Sequence, residues 1–121
     1  MKNEILLVED DQALASLLLL ELEQAGFNAT HAQDGWDALE KIKKSTFNGI
    51  ISDIIMPNMD GLQLVHALSS MALNIPIIII SGAASPDVKT ILKNNGITHI
   101  FHKPLLEEQL NAIFTILRSE N

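Results

Sequence analysis

Four acids, one hydroxyl and one amine stand where apolar runs end. Ile5-Leu6-Leu7-Val8 stops at Glu9, Asp10 and Asp11; Ile50-Ile51-Ser52 stops at Asp53; Ile75 to Ile80 stops at Ser81-Gly82; and Ile97 to Phe101 is followed by Lys103-Pro104. If those runs are parallel strands, the six groups converge, because ligands in an open α/β sheet bind beyond the carboxyl ends of the strands. Carboxylates that close repel one another unless a cation joins them. An all-oxygen set without His or Cys suits a hard ion, most commonly Mg²⁺. Asp53 could then attack phosphorus as a carboxylate nucleophile, with Lys103 neutralising phosphoryl oxygens and Ser81 hydrogen-bonding one of them. Taken singly, each residue has a plainer role: Asp11 a helix N-cap, Glu9 or Asp10 a loop acid, Ser81 a strand-end hydroxyl, Lys103 a surface lysine. The joint placement is what points to chemistry.

Two periodicities alternate between these points. Leu14, Leu17, Leu18, Leu22 and Ala25 recur at helical spacing, and Gly26 reads as the stop. Phe27 to Ala32 is a weaker segment, as expected of an edge strand. Asp34-Gly35 opens a second helix with Ala38, Leu39 and Ile42 on one stripe. Met56 to Gly61 reads as a loop before a helix carrying Leu62, Leu64, Val65 and Leu68. Ser85-Pro86 predicts an N-cap and first turn, Gly96 closes that helix, and Leu105 to Leu117 forms the last one. Five strand–helix units in a row predict a parallel sheet covered by helices on both faces.

The 121 residues, 47% hydrophobic but only 4% aromatic, predict one domain over residues 1–121 with an aliphatic core. With no cysteine, disulfides, thiolate metal sites and cysteine nucleophiles are excluded. A net charge of −7 without a Lys/Arg cluster argues against direct nucleic-acid binding. There is no signal peptide and no apolar segment long enough for a membrane, so the cytoplasm is the default location.

The chain resembles the receiver domain of two-component response regulators along its whole length. The resemblance rests on Ile5-Leu6-Leu7-Val8-Glu9-Asp10-Asp11, on Asp53-Ile54-Ile55-Met56-Pro57-Asn58-Met59-Asp60-Gly61, on Ser81-Gly82 and on Lys103-Pro104. It implies a flavodoxin-like three-layer sandwich, with a five-stranded parallel sheet in the order 2-1-3-4-5 and five helices. It implies that Asp53 accepts a phosphoryl group from a histidine kinase or phosphotransfer protein. Asp10, Asp53 and the Ile55 carbonyl would bind Mg²⁺ directly, with Glu9 acting mainly through a coordinated water. Lys103 would contact the phosphoryl group and Ser81 would be the switch hydroxyl. The Lys103–Pro104 bond would be cis. The output would pass to an unknown partner through the face built from the fourth helix, fifth strand and fifth helix. Such a protein is a switch, not an enzyme, its only chemistry being self-phosphorylation and autodephosphorylation.

Departures from the pattern are informative. Ile100 stands where the family usually carries Tyr or Phe, and strand alternation sends Phe101 to the opposite face. Ile55 and Ala83 are apolar where polar residues help position hydrolytic water, which predicts slow self-dephosphorylation. Trp36 reads as a partly packed surface aromatic or a partner contact. His31, His66, His99 and His102 are scattered without metal-ligand spacing and read as non-catalytic. Exposed members of the Leu17–Leu20 run would support a homodimer. A haloacid-dehalogenase-type enzyme needs an acid where Ile55 stands; a flavodoxin-like cofactor binder needs a Gly/Ser/Thr-rich first loop where Glu9-Asp10-Asp11 stands. A degenerate receiver acting as an unphosphorylated docking module is the remaining alternative. Without an effector domain, the sequence fits a free-standing receiver or a piece of a hybrid kinase or longer regulator, and Met1 favours a native start.

Overall fold

The computed structural model describes residues 3–54, 61–82 and 85–119. Five strands and five helices alternate: β1 (Glu4–Val8), α1 (Gln12–Gln24), β2 (Asn28–Ala32), α2 (Gly35–Lys44), β3 (Gly49–Asp53), α3 (Gly61–Ser70), β4 (Ile77–Ser81), α4 (Pro86–Asn94), β5 (His99–His102) and α5 (Glu107–Ser119). All pairings are parallel, in the order β2-β1-β3-β4-β5. The flavodoxin-like arrangement predicted from the sequence is the one observed. No helix among the described residues is long and apolar enough to cross a membrane.

Strand alternation builds both layers. Ile5 and Leu7 of β1, Ile51 of β3 and Ile78 and Ile80 of β4 face α1 and α5, packing against Leu18, Leu22, Ile113 and Leu117. Leu6, Val8 and Ile50 point the other way, onto Ala38 of α2 and Leu64 and Leu68 of α3. Ile79 continues that second face toward Leu92 of α4. Central strands buried on both sides carry no polar alternation, which is why they read as continuous apolar runs.

Two strand starts lie later than the sequence predicts, for one reason. Gly26 (φ +97°) and Gly96 (φ +83°) follow α1 and α4 in the left-handed conformation. The next residues then bond backwards: Phe27 N–H to the Leu22 carbonyl and Ile97 N–H to the Leu92 carbonyl, both 3.0 Å. These are Schellman closures, in which an apolar residue past the glycine packs on the last helical turn. Phe27 and Ile97 therefore end helices, and β2 and β5 begin at Asn28 and His99. Likewise β4 begins at Ile77 because Pro76 has no N–H to give, although its carbonyl accepts from Ile50 N. The last helix starts at Glu107, since Gln109 Oε1 caps Leu106 N at 2.8 Å as in a capping box.

Gly49 opens β3 under tight packing. A Cβ there would lie 2.5 Å from Leu117 Cδ2 and 3.2 Å from Ile5 Cδ1. Gly49→Ala is therefore expected to lower stability by about 1–3 kcal/mol, the usual cost of overpacking. A fall in urea midpoint at unchanged m-value would show it, and an unchanged midpoint would mean that Leu117 moves aside freely.

Candidate functional site

The carboxyl ends of β1, β3, β4 and β5 meet at one rim. β1 delivers Glu9 and Asp10, and the register places Val8 beside Ser52, so Asp53 follows at the next step. Asp53 itself lies beside Ile80 of β4, one residue before Ser81, and Ser81 lies beside His102, one residue before Lys103. The Lys103–Pro104 bond is cis, as the sequence resemblance implies. Lys103 N–H donates to the Ser81 carbonyl at 2.8 Å, tying the loop after β5 to the end of β4.

Carboxylate oxygens of Glu9, Asp10 and Asp53 lie within 4.8 Å of one another. Lys103 Nζ bridges two of the three, 2.9 Å from Asp53 Oδ2 and 3.2 Å from Glu9 Oε1. Asp53 Oδ1 accepts from Ile54 N at 2.7 Å, and Glu9 Oε2 accepts from Asp11 N at 3.2 Å. Asp10 is exposed, whereas Glu9 is 1% and Asp53 7% exposed. Three oxygen donors with no nitrogen or sulfur among them fit a hard divalent cation, which would offset the repulsion that burial magnifies.

Burial pushes the Glu9 carboxyl up to about 7; the Asp11 N–H opposes this, the Asp53 charge adds to it, and Lys103 opposes it again. Burial alone would lower Lys103, but its hydrogen bond to Asp53 and the charges of Asp53 and Glu9 outweigh that and raise it above its usual value. The sign for stability follows. A carboxyl raised on folding favours the fold fully below about pH 4.5, and this contribution is lost as pH climbs through about 7. In EDTA at pH 8, Glu9→Gln is therefore expected to be more stable than wild type by on the order of 1–2 kcal/mol. The gap should close at pH 4, and chemical denaturation at the two pH values measures it. A constant gap would show that Glu9 titrates normally.

Ser81 is fully buried, and its Oγ has no hydrogen-bond partner among the described residues. Buried hydroxyls are nearly always paired, which makes this one unusual among the described residues. Asp11 has the plainer of its two readings: its Oδ1 caps α1, accepting from Ala13 N at 3.0 Å and Leu14 N at 3.2 Å. Ile55, expected to offer its carbonyl, and Ala83 lie outside the described residues, as does the Met56 to Asp60 part of the predicted loop. Ile100 packs against the cluster of Ile79, Leu92 and Ile97 on one face of β5, and Phe101 against the α1/α5 layer on the other, as strand alternation predicts.

Sequence reasoning set the histidines aside, yet one reaches the site's backbone. His31 Nε2 lies 2.6 Å from the Glu9 carbonyl oxygen. No sequence signal marks that contact, because it depends on where β2 ends relative to β1.

Comparison with known proteins identifies the family and the fold. The family model of the response regulator receiver domain matches residues 5–115. The response regulator receiver protein CpdR of Brucella abortus is 36% identical over 83 residues, 69% of each chain. The alkaline phosphatase synthesis transcriptional regulatory protein PhoP of Bacillus subtilis is 29% identical over 98% of this chain, which covers 50% of PhoP. The chain spans between 12% and 52% of several longer relatives. A CheY-like receiver domain protein from Methanospirillum hungatei superposes with a TM-score of 0.92 at 26% identity, over 99% of this chain and 97% of its own. A match across nearly the whole sequence, in a fold of this strand order, means that the chain belongs to the receiver-domain family of two-component response regulators.

Proposed function

We propose that this receiver domain takes a phosphoryl group onto Asp53 from a histidine kinase or phosphotransfer protein and thereby changes partner. The observation that carries the reading is the convergence of Asp53, Glu9 and Asp10, with Lys103 on the first two, beside Ser81, whose Oγ has no partner among the described residues. Glu9, Asp10 and Asp53 would hold Mg²⁺, together with the Ile55 carbonyl that lies outside the described residues. When bound, the ion would neutralise carboxylate and phosphoryl charge.

The chain's own residues do the rest. Asp53 Oδ forms the bond to phosphorus as the donor's P–N bond breaks and its imidazole leaves. Lys103 turns its ammonium from Asp53 Oδ2 to a phosphoryl oxygen. Ser81 Oγ, which has no partner among the described residues, donates to another. Because Lys103 is bonded to the Ser81 backbone, that rearrangement biases the β4 and β5 ends together. The α4–β5–α5 face, where Ile91 and Leu106 are exposed, would present the change to an output partner. The exposed Leu17 and Leu20 of α1 offer a surface for a homodimer, and the cytoplasm is where the proposed donors work.

Ile100 favours a second reading, the unphosphorylated docking module. An aliphatic side chain packed against the cluster of Ile79, Leu92 and Ile97 has no ring or hydroxyl to swing inward with Ser81. The test is incubation of wild type with acetyl phosphate, followed by intact mass. A phosphate adduct that forms with Mg²⁺ and not with EDTA supports the switch. No adduct at any Mg²⁺ concentration would overturn it in favour of the docking module.

A further inference from the structure

The acidic turn after β1 is held by more than its own strand. β1 and β2 pair with Leu7 opposite His31 and Val8 opposite Ala32, and the ladder runs one step further as Glu9 N–H to the Ala32 carbonyl, 3.0 Å. In a parallel ladder the Glu9 carbonyl would next accept from a backbone N–H two residues beyond Ala32. Asp34, at that position, is the extended N-cap of α2, its Oδ1 accepting from Asp37 N at 2.8 Å. The side chain of His31 lies against the Glu9 carbonyl, with Nε2 2.6 Å from the oxygen. A carbonyl only accepts, so the ring nitrogen donates and the imidazole carries its proton on Nε2.

The consequence falls on the next peptide. The Glu9 carbonyl belongs to the Glu9–Asp10 peptide plane. That plane sets how Glu9, facing Lys103, and Asp10, facing Asp53, are aimed relative to each other. One residue on, Asp11 is committed to capping α1. The turn is thus pinned at the Glu9 N–H by Ala32, at the Glu9 carbonyl by His31 and at Asp11 by α1. Of the three, only the His31 pin depends on a particular side chain outside the turn itself.

Building on the phosphoacceptor reading above, we infer that His31 is a positioning residue for the acidic pair: its ring N–H fixes the Glu9–Asp10 peptide so that both carboxylates converge on the cation site with Asp53. Groups that orient ligands without touching the ion change metal affinity by about 10–100-fold when removed. A single anchor on the backbone of one ligand should fall at or below the low end of that range.

The test is calorimetric titration of the metal-free protein with Mg²⁺ alone, alongside thermal melts in EDTA. His31→Leu removes the donor and is expected to weaken Mg²⁺ about three- to tenfold. His31→Gln keeps an N–H at similar reach and should restore most of the affinity, whereas His31→Asn, a shorter amide, should not. A role confined to packing would lower the melting temperature and leave the Mg²⁺ affinity unmoved. Equal affinity in wild type, His31→Leu and His31→Asn would overturn the inference. Should His31→Leu fail to fold, the Gln–Asn comparison decides, and equal affinities there overturn it as well. Wild type that takes up no Mg²⁺ would instead overturn the underlying reading of the site, and this inference with it.

Discussion

Asp53→Asn is expected to cut phosphate labelling by acetyl phosphate by on the order of a hundredfold or more, the scale of losing a nucleophile. An amide oxygen cannot replace a carboxylate attacking phosphorus. The two neighbouring acids are poor substitutes for reasons visible in the site. Glu9 is 1% exposed, has its oxygens engaged by Lys103 and Asp11 N, and is pushed up to about 7 by burial, so much of it is uncharged at neutral pH. Asp10 is exposed, whereas the Lys103 ammonium contacts the buried Asp53 and Glu9. Intact mass with time, wild type against Asp53→Asn, reads the result. Labelling of the variant at the wild-type rate would move the acceptor to another residue. The same substitution removes a buried charge beside Glu9, so the variant's melting point in EDTA should not fall, which separates lost chemistry from lost fold.

Lys103→Met should have the largest effect on stability at the site. It withdraws the cation that contacts both buried carboxylates. Removing one partner of a buried ion pair costs about 3–5 kcal/mol when the pair is fully enclosed. Lys103 keeps 25% of its side-chain surface exposed, so water takes back part of that cost. A loss of about 2–3 kcal/mol in EDTA at pH 8 is the expected value. The loss should shrink toward pH 5, where Glu9 takes up a proton. It should also shrink in a Glu9→Gln background and on adding Mg²⁺. Urea denaturation of the four combinations of Lys103→Met and Glu9→Gln gives the coupling directly. Additive losses would mean that Lys103 stabilises the fold by packing alone.

Both effects depend on groups that the chain order already names. Glu9, Asp53, Ser81 and Lys103 each follow a short apolar run, and an apolar run buried on both faces needs no tertiary information to be read as a central strand. The sheet order follows from the family resemblance, and the helix starts at Asp11, Asp34 and Ser85 follow from caps that act over three residues. These are local signals, so one sequence suffices for them.

Other features needed the folded chain, because they depend on how neighbours pack. Phe27 and Ile97 look like strand starters because they are apolar and follow glycine; whether such residues open a strand or close a helix depends on whether Leu22 and Leu92 are there to receive their N–H groups. The pKa of Glu9 is set by burial and by partners far apart in sequence, Asp53 and Lys103. The Ser81 hydroxyl is buried with no partner among the described residues, and no reading of Ser81-Gly82 could show that. His31 illustrates the division most plainly. As a residue type in an edge strand it carries no message. It reaches the Glu9 carbonyl because the β1–β2 register sets Leu7 opposite His31, two residues before Glu9. Chain order alone names which residues stand at the rim and on which elements. The three-dimensional packing decided how they are aimed and charged, because orientation and desolvation are sums over neighbours that chain order does not list.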